Sequence, residues 1–193
     1  MGSIREHDIS GLKDKYNLKS YVETGTGIGE CLSHAEEFNF DEYHSIEIYE
    51  KIHNNAVEKF SHNNKVKIHL GNSYEILPEI SVKGNTLFWL DAHFPGVDFH
   101  YESYDSEKDY NKRLPLKNEL KTIKDNFNTN NSVLLIDDLR IYEDGPYKSG
   151  NWSDRDKYGG NGIDFVYELF GETHDIRKDF QSQGYIIIEP KAK

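Results

Sequence analysis

The chain has 193 residues, enough for one domain (1–193), and 34 acids against 23 bases set its net charge at −11. That balance argues against a general nucleic-acid partner, which needs Lys and Arg to displace counterions, and against docking on anionic lipid. With 36% hydrophobic and 13% aromatic residues there is material for a core, yet no apolar run approaches the roughly 18 residues of a membrane span. Cys31 is the only cysteine, so an intrachain disulfide is impossible; it reads as a small packed residue in a reducing, cytoplasmic compartment.

Taken in order, the segments alternate. Residues 20–23 predict a short strand, followed by a Gly-rich turn and a helix over 28–37. A second strand covers 43–48, and residues 49–60 carry Ile52, Ala56, Val57 and Phe60 at helical spacing. Residues 66–70 form a third strand. Asn72 and Ser73 then offer caps to a helix that Pro78 ends early. The run 85–90 (NTLFWL) suits a strand buried on both faces. Residues 92–114 break the rhythm as a long insertion, and long ordered loops in compact domains are usually functional. Pro115 opens a helix to Phe127, 132–136 (SVLLI) is a second fully apolar strand, and 139–162 is another polar loop. A helix over 162–170 and a strand pair over 174–180 and 185–189 close the chain.

Five β–α alternations and a β–β ending predict an α/β sandwich on a mostly parallel sheet. Ligands of such sheets bind beyond the carboxyl ends of the strands. The residues just after each strand are therefore the candidates for chemistry.

After the first strand comes Glu23-Thr-Gly25-Thr26-Gly27-Ile-Gly29. Counting from Gly25, the sixth position is Glu30, so the NAD fingerprint fails, and no Gly-Lys-Ser/Thr makes a phosphate loop. The second strand carries Glu47 about 20 residues on, where a carboxylate can accept from both hydroxyls of a ribose; this predicts a nucleoside ligand without choosing one. The last two central strands end in Leu90-Asp91-Ala-His93 and Ile136-Asp137-Asp138. Three carboxylates at adjacent strand ends repel one another unless they hold a cation, and hard oxygen ligands suit Mg²⁺, Mn²⁺ or Ca²⁺.

The acid-x-Gly-x-Gly-x-Gly spacing resembles motif I of class I S-adenosylmethionine (SAM) methyltransferases, and Gly71-Asn72-Ser73-Tyr-Glu-Ile-Leu resembles a stretch common in small-molecule methyltransferases. The order of acids at 91, 137 and 138 resembles metal-dependent O-methyltransferases of the catechol and antibiotic-sugar types. The resemblance implies a Rossmann-like class I methyltransferase sandwich, a seven-stranded, mostly parallel sheet with an antiparallel final strand. It further implies SAM held by Glu23 (ammonium), the turn Gly25, Thr26, Gly27 and Gly29, Glu47, Asn72 and Ser73 (adenine) and Asp91. Carried over in the same way, Asp91, Asp137 and Asp138 become ligands of a divalent cation, preferably Mg²⁺. His93, one place later than the catechol-type histidine, is the preferred proton acceptor, with Asp91 the other choice.

The implied activity is methyl transfer to a hydroxyl of a sugar, glycan or other small molecule. Segments 92–114 and 139–162 are expected to cover the acceptor; their many aromatic residues equally suit a subunit contact in a homodimer. Arg113 and Arg140 are candidates for an acidic group on the acceptor. Two rivals stand beside this reading. A nucleic-acid or protein methyltransferase would also bind SAM, but the Asn/Asp-Pro-Pro-aromatic motif frequent in the former is absent. A non-catalytic SAM-fold interaction module would not need the complete glycines and the acid trio.

Overall fold

The computed structural model of the chain describes residues 3–192. After a 3₁₀ turn at Ile4–Glu6, α1 (Ile9–Tyr16) starts on an Asp8 cap, whose carboxylate accepts from the Gly11 amide at 2.9 Å. The alternation then runs β1 (Leu18–Thr24), α2 (Glu30–Glu36), β2 (Glu42–Glu47), α3 (Glu50–Lys59), β3 (Val66–Leu70), α4 (Ser73–Ile76) and β4 (Asn85–Leu90). It continues through α5 (Tyr110–Arg113), α6 (Leu116–Asn126), β5 (Val133–Ile136), α7 (Arg155–Tyr158), α8 (Asp164–Phe170), β6 (His174–Asp179) and β7 (Tyr185–Pro190).

The seven strands form one sheet in the order β3-β2-β1-β4-β5-β7-β6. β1 to β5 are parallel, and β7 runs antiparallel to both β5 and β6. Tyr21, Leu87, Trp89, Val133 and Leu135 point to one face, with Leu32 and Ala35 of α2. Val22, Phe88, Leu90, Leu134 and Ile136 point to the other, with Leu116, Leu120 and Ile123 of α6. Both faces are covered, which is why the β4 and β5 runs are apolar throughout.

Two differences from the sequence pattern have local causes. α2 begins at Glu30 rather than Ile28, because Gly29 is in the left-handed region (φ 72°) and a helix cannot start through it. The helix after Asn72 is a single turn that passes into 3₁₀ geometry at Leu77–Glu79, at Pro78. The chain order reverses between β1 and β4, so their carboxyl ends open a crevice at the switch point. No helix among the described residues is long and apolar enough to cross a membrane.

Candidate active site

The crevice is a cavity of about 630 Å³, within the 300–1,000 Å³ range of small-molecule sites. One half is built by the turns after β1, β2 and β3. Gly25 (φ 81°) passes so close to the end of β4 that a Cβ there would lie 2.6 Å from the Asp91 carbonyl oxygen. Its amide donates to the Ile46 carbonyl at 2.9 Å, tying the turn to β2. Glu47 then fixes the loop: its carboxylate accepts from the Gly27 amide (3.1 Å) and the Tyr49 amide (2.9 Å) while lining the cavity. Burial pushes its pKa up, against the backbone amide donors that draw it down. Thr26, Gly27, Asn72 and Ser73 also line this half. The Asn72 Nδ2 and Ser73 Oγ atoms are buried without hydrogen-bond partners, unused polar atoms at the wall of the cavity.

Glu23 and Gly29 do not line it. Glu23 is 1% exposed, accepting from the Tyr21 hydroxyl at 2.7 Å and the Ser45 hydroxyl at 2.6 Å. Burial, only partly offset by these two donors, raises its pKa to about 7. The Ser45 hydroxyl also lies 2.5 Å from that of Thr26, so Glu23 supports the Gly-rich turn from beneath. Gly29 opens α2, where a Cβ would meet the Phe60 ring at 2.6 Å.

The other half lies at the ends of β4 and β5. Asp91, His93 and Asp138 each offer a ligand atom, all within 4.8 Å of one another. His93 Nε2 is 2.7 Å from Asp138 Oδ2 and 3.4 Å from Asp91 Oδ1. Burial disfavours the imidazolium, but its hydrogen bonds and attraction to Asp138 and Asp91 win and hold its pKa well above the ordinary value. Asp138 reaches this position from a left-handed residue (φ 56°). Asp137 makes that turn: its Oδ1 accepts from the Asp138 amide at 2.7 Å. Asp137 is 4% exposed and stands outside the three-residue cluster, its Oδ2 buried without a partner. Burial, then Asp91 and Asp138, push its pKa far up.

The two long segments close over the cavity together. Phe94, Tyr104 and Trp152 meet with ring centroids 5.0–5.5 Å apart, and Tyr158 stacks on Tyr104 at 5.4 Å. The insertion also reaches the half built by the three turns: Phe99 comes within 3.8 Å of the space over Gly27, and Tyr49 donates to Glu102 at 2.8 Å. Arg140 lines the cavity, with Nε 3.9 Å from Asp138 Oδ1. Arg113 does not; its guanidinium lies 5.6 Å from the Tyr110 ring. Lys112, which the sequence pattern did not single out, is the cation that the insertion supplies to the wall. Its only signal was its place inside the insertion.

The sheet order, with its antiparallel last strands, is that of the Rossmann-like methyltransferase fold. Solved structures agree. A Staphylococcus aureus protein assigned as a caffeoyl-CoA O-methyltransferase superposes with a TM-score of 0.69 at 15% identity, over 99% of this chain and 85% of its own. The O-methyltransferase TomG from Streptomyces achromogenes, in complex with SAM, gives 0.57 at 15% identity over 95% and 78%. An rRNA methylase assignment from Clostridium thermocellum gives 0.63 at 11% identity over 99% of both chains. No protein-family model matches the sequence, and no curated protein matches it either.

Proposed function

We propose that this chain is a SAM-dependent O-methyltransferase that acts on a hydroxyl of a small, ring-bearing acceptor, a sugar or a phenol, with a divalent cation at Asp91, His93 and Asp138. The observation that carries the reading is convergence: the Gly-rich turn, Glu47, Asn72 and Ser73 face the same cavity as that cluster. In this reading Glu47 holds the ribose hydroxyls, and the adenine meets Asn72 Nδ2 and the lone pairs of the Ser73 hydroxyl, polar atoms that have no partner in the protein. TomG, of the same fold, is a SAM-bound O-methyltransferase.

Two carboxylates and an imidazole fit a divalent cation, and the mixed O/N set favours Mn²⁺ over Mg²⁺. Asp137 then serves as the residue that turns Asp138 inward, not as a ligand. When bound, the cation would ligate the acceptor oxygen and lower its pKa. The protein residues do the rest. Methyl transfer needs in-line approach at about 3–3.5 Å, so the walls that orient the acceptor supply much of the acceleration. Phe94, Tyr104 and Trp152 offer ring faces, while Lys112 and Arg140 suit an acidic substituent. Holding the cation would occupy His93 Nε2, the nitrogen that faces Asp91 and Asp138, and take that nitrogen away from a role as proton acceptor.

Thermal-shift measurements with SAM, in Mn²⁺, Mg²⁺ or EDTA, test both parts. Stabilisation by SAM that grows with Mn²⁺ is expected. No stabilisation by SAM overturns the reading, whereas a shift indifferent to metal overturns only its metal part. The likeness to an rRNA methylase supports a second reading. The net charge of −11 weighs against it.

A further inference from the structure

The buried stripe of α6 contains an acid. Leu116, Leu120 and Ile123 pack on the sheet, and Glu119 occupies the same stripe at 0% exposure. No Lys or Arg ion pair holds its carboxylate among the described residues, and both its oxygens lack a formed hydrogen bond. Such a group costs stability, because a buried polar atom without a partner forfeits its hydration. Two buried hydroxyl oxygens are in the same state, Thr24 Oγ1 and Ser73 Oγ. Both lie near enough to the carboxylate to draw its pKa down, against the burial that lifts it to about 7.

The places of these hydroxyls in the chain are informative. Thr24 is the last residue of β1, directly before Gly25; Ser73 is the first residue of α4, directly after Asn72. Each adjoins one of the three turns that build the cofactor half of the cavity, and Ser73 is itself in its wall. Glu119 stands behind both turns, on a different element, and one carboxylate can accept from two hydroxyls at once. Catalytic hydrogen bonds are often loose in free proteins and tighten when ligand binds.

We infer that Glu119 is a positioning residue for the cofactor: on binding, it takes the Thr24 and Ser73 hydroxyls together and locks the β1 and β3 turns against the nucleoside. The inference rests on the cofactor reading above. It adds to that reading a residue that touches no ligand, and explains why an acid is kept in an otherwise apolar stripe.

The test is calorimetric titration of the full chain with SAM, beside its melting temperature. Glu119→Leu, close in volume, should weaken SAM binding 10-fold or more while the melting temperature of the free protein stays within a few degrees or rises. Glu119→Gln keeps an acceptor and a donor for the two hydroxyls and should bind within about 3-fold of the parent. Thr24→Val should also weaken binding, and Glu119→Leu with Thr24→Val should be no worse than the stronger single change, since the two act through one contact. Unchanged SAM affinity in Glu119→Leu overturns the inference, as does a loss in Glu119→Gln equal to that in Glu119→Leu. If Glu119→Leu does not fold, Glu119→Gln with Thr24→Val decides: the inference needs tight binding in the first and weak binding in the second. A parent protein that binds no SAM would defeat the cofactor reading itself, a result separate from any of these.

Discussion

At the scale of single residues, the site is shaped by buried acids whose partners differ. Glu23 has two hydroxyl donors and no cation, so burial prevails and its pKa stands near 7, above the unfolded value of 4.5. An acid raised in this way stabilises the fold while protonated. Its contribution is complete below about pH 4.5 and is lost as pH rises through 7. Glu23→Gln keeps an acceptor for Tyr21 and Ser45 but cannot ionise. The ligand-free variant should therefore lose less melting temperature than the parent between pH 5 and 8, a difference on the order of 2–3 kcal/mol at the alkaline end. Equal slopes in the two proteins would contradict this.

Gly25 is a second residue-scale case, because its left-handed φ and the Asp91 carbonyl both exclude a side chain. Gly25→Ala should cost about 1–3 kcal/mol in denaturant unfolding and lower SAM affinity, since the turn must shift from β4. A variant of unchanged stability would show that the turn yields freely.

At the scale of elements, the strands were legible and their surroundings less so. Runs such as NTLFWL and SVLLI declare buried parallel strands, and β4 and β5 fall on them. α1 escapes the sequence reading because it is one short octet in which Ile9 is buried and Leu12 and Tyr16 are only partly so. α5 and α7 are single turns, too short to leave a period. Topology made strand ends the right place to search, and Asp91, His93 and Asp138 do meet there. Which way each side chain turns was not legible. Asp137 and Asp138 are neighbours, and only the left-handed turn at Asp138 separates their environments. Glu119 was legible in principle: spacing alone puts it on the apolar stripe of α6.

The insertion shows how an element can serve both halves of a site. Phe99 and Tyr101 lie toward Gly27 and Tyr49, whereas Phe94 and Tyr104 meet Trp152. SAM should therefore order residues 92–114 and slow tryptic cleavage at Lys108, Lys112 and Arg113 several-fold relative to cleavage elsewhere. Cleavage there at an unchanged rate would mean that the insertion does not feel the cofactor. Trp152→Ala should leave SAM affinity within about 2-fold and raise the acceptor KM, which steady-state kinetics can separate.

Over the whole molecule, the charge of −11 acquires a location. Glu47, Asp91 and Asp138 line one cavity, with Glu23 and Asp137 buried behind it, at one edge of the sheet. Carboxylates gathered in this way suit a cationic ligand. The measurement that bears most directly on the central claim is isothermal titration of the full chain with SAM, beside Glu47→Ala. The account predicts one SAM per chain, and affinity 10- to 100-fold weaker in Glu47→Ala, the loss of about 1.5–3 kcal/mol expected for hydrogen bonds to a charged group. No binding by the parent chain, or equal binding by both proteins, would contradict it.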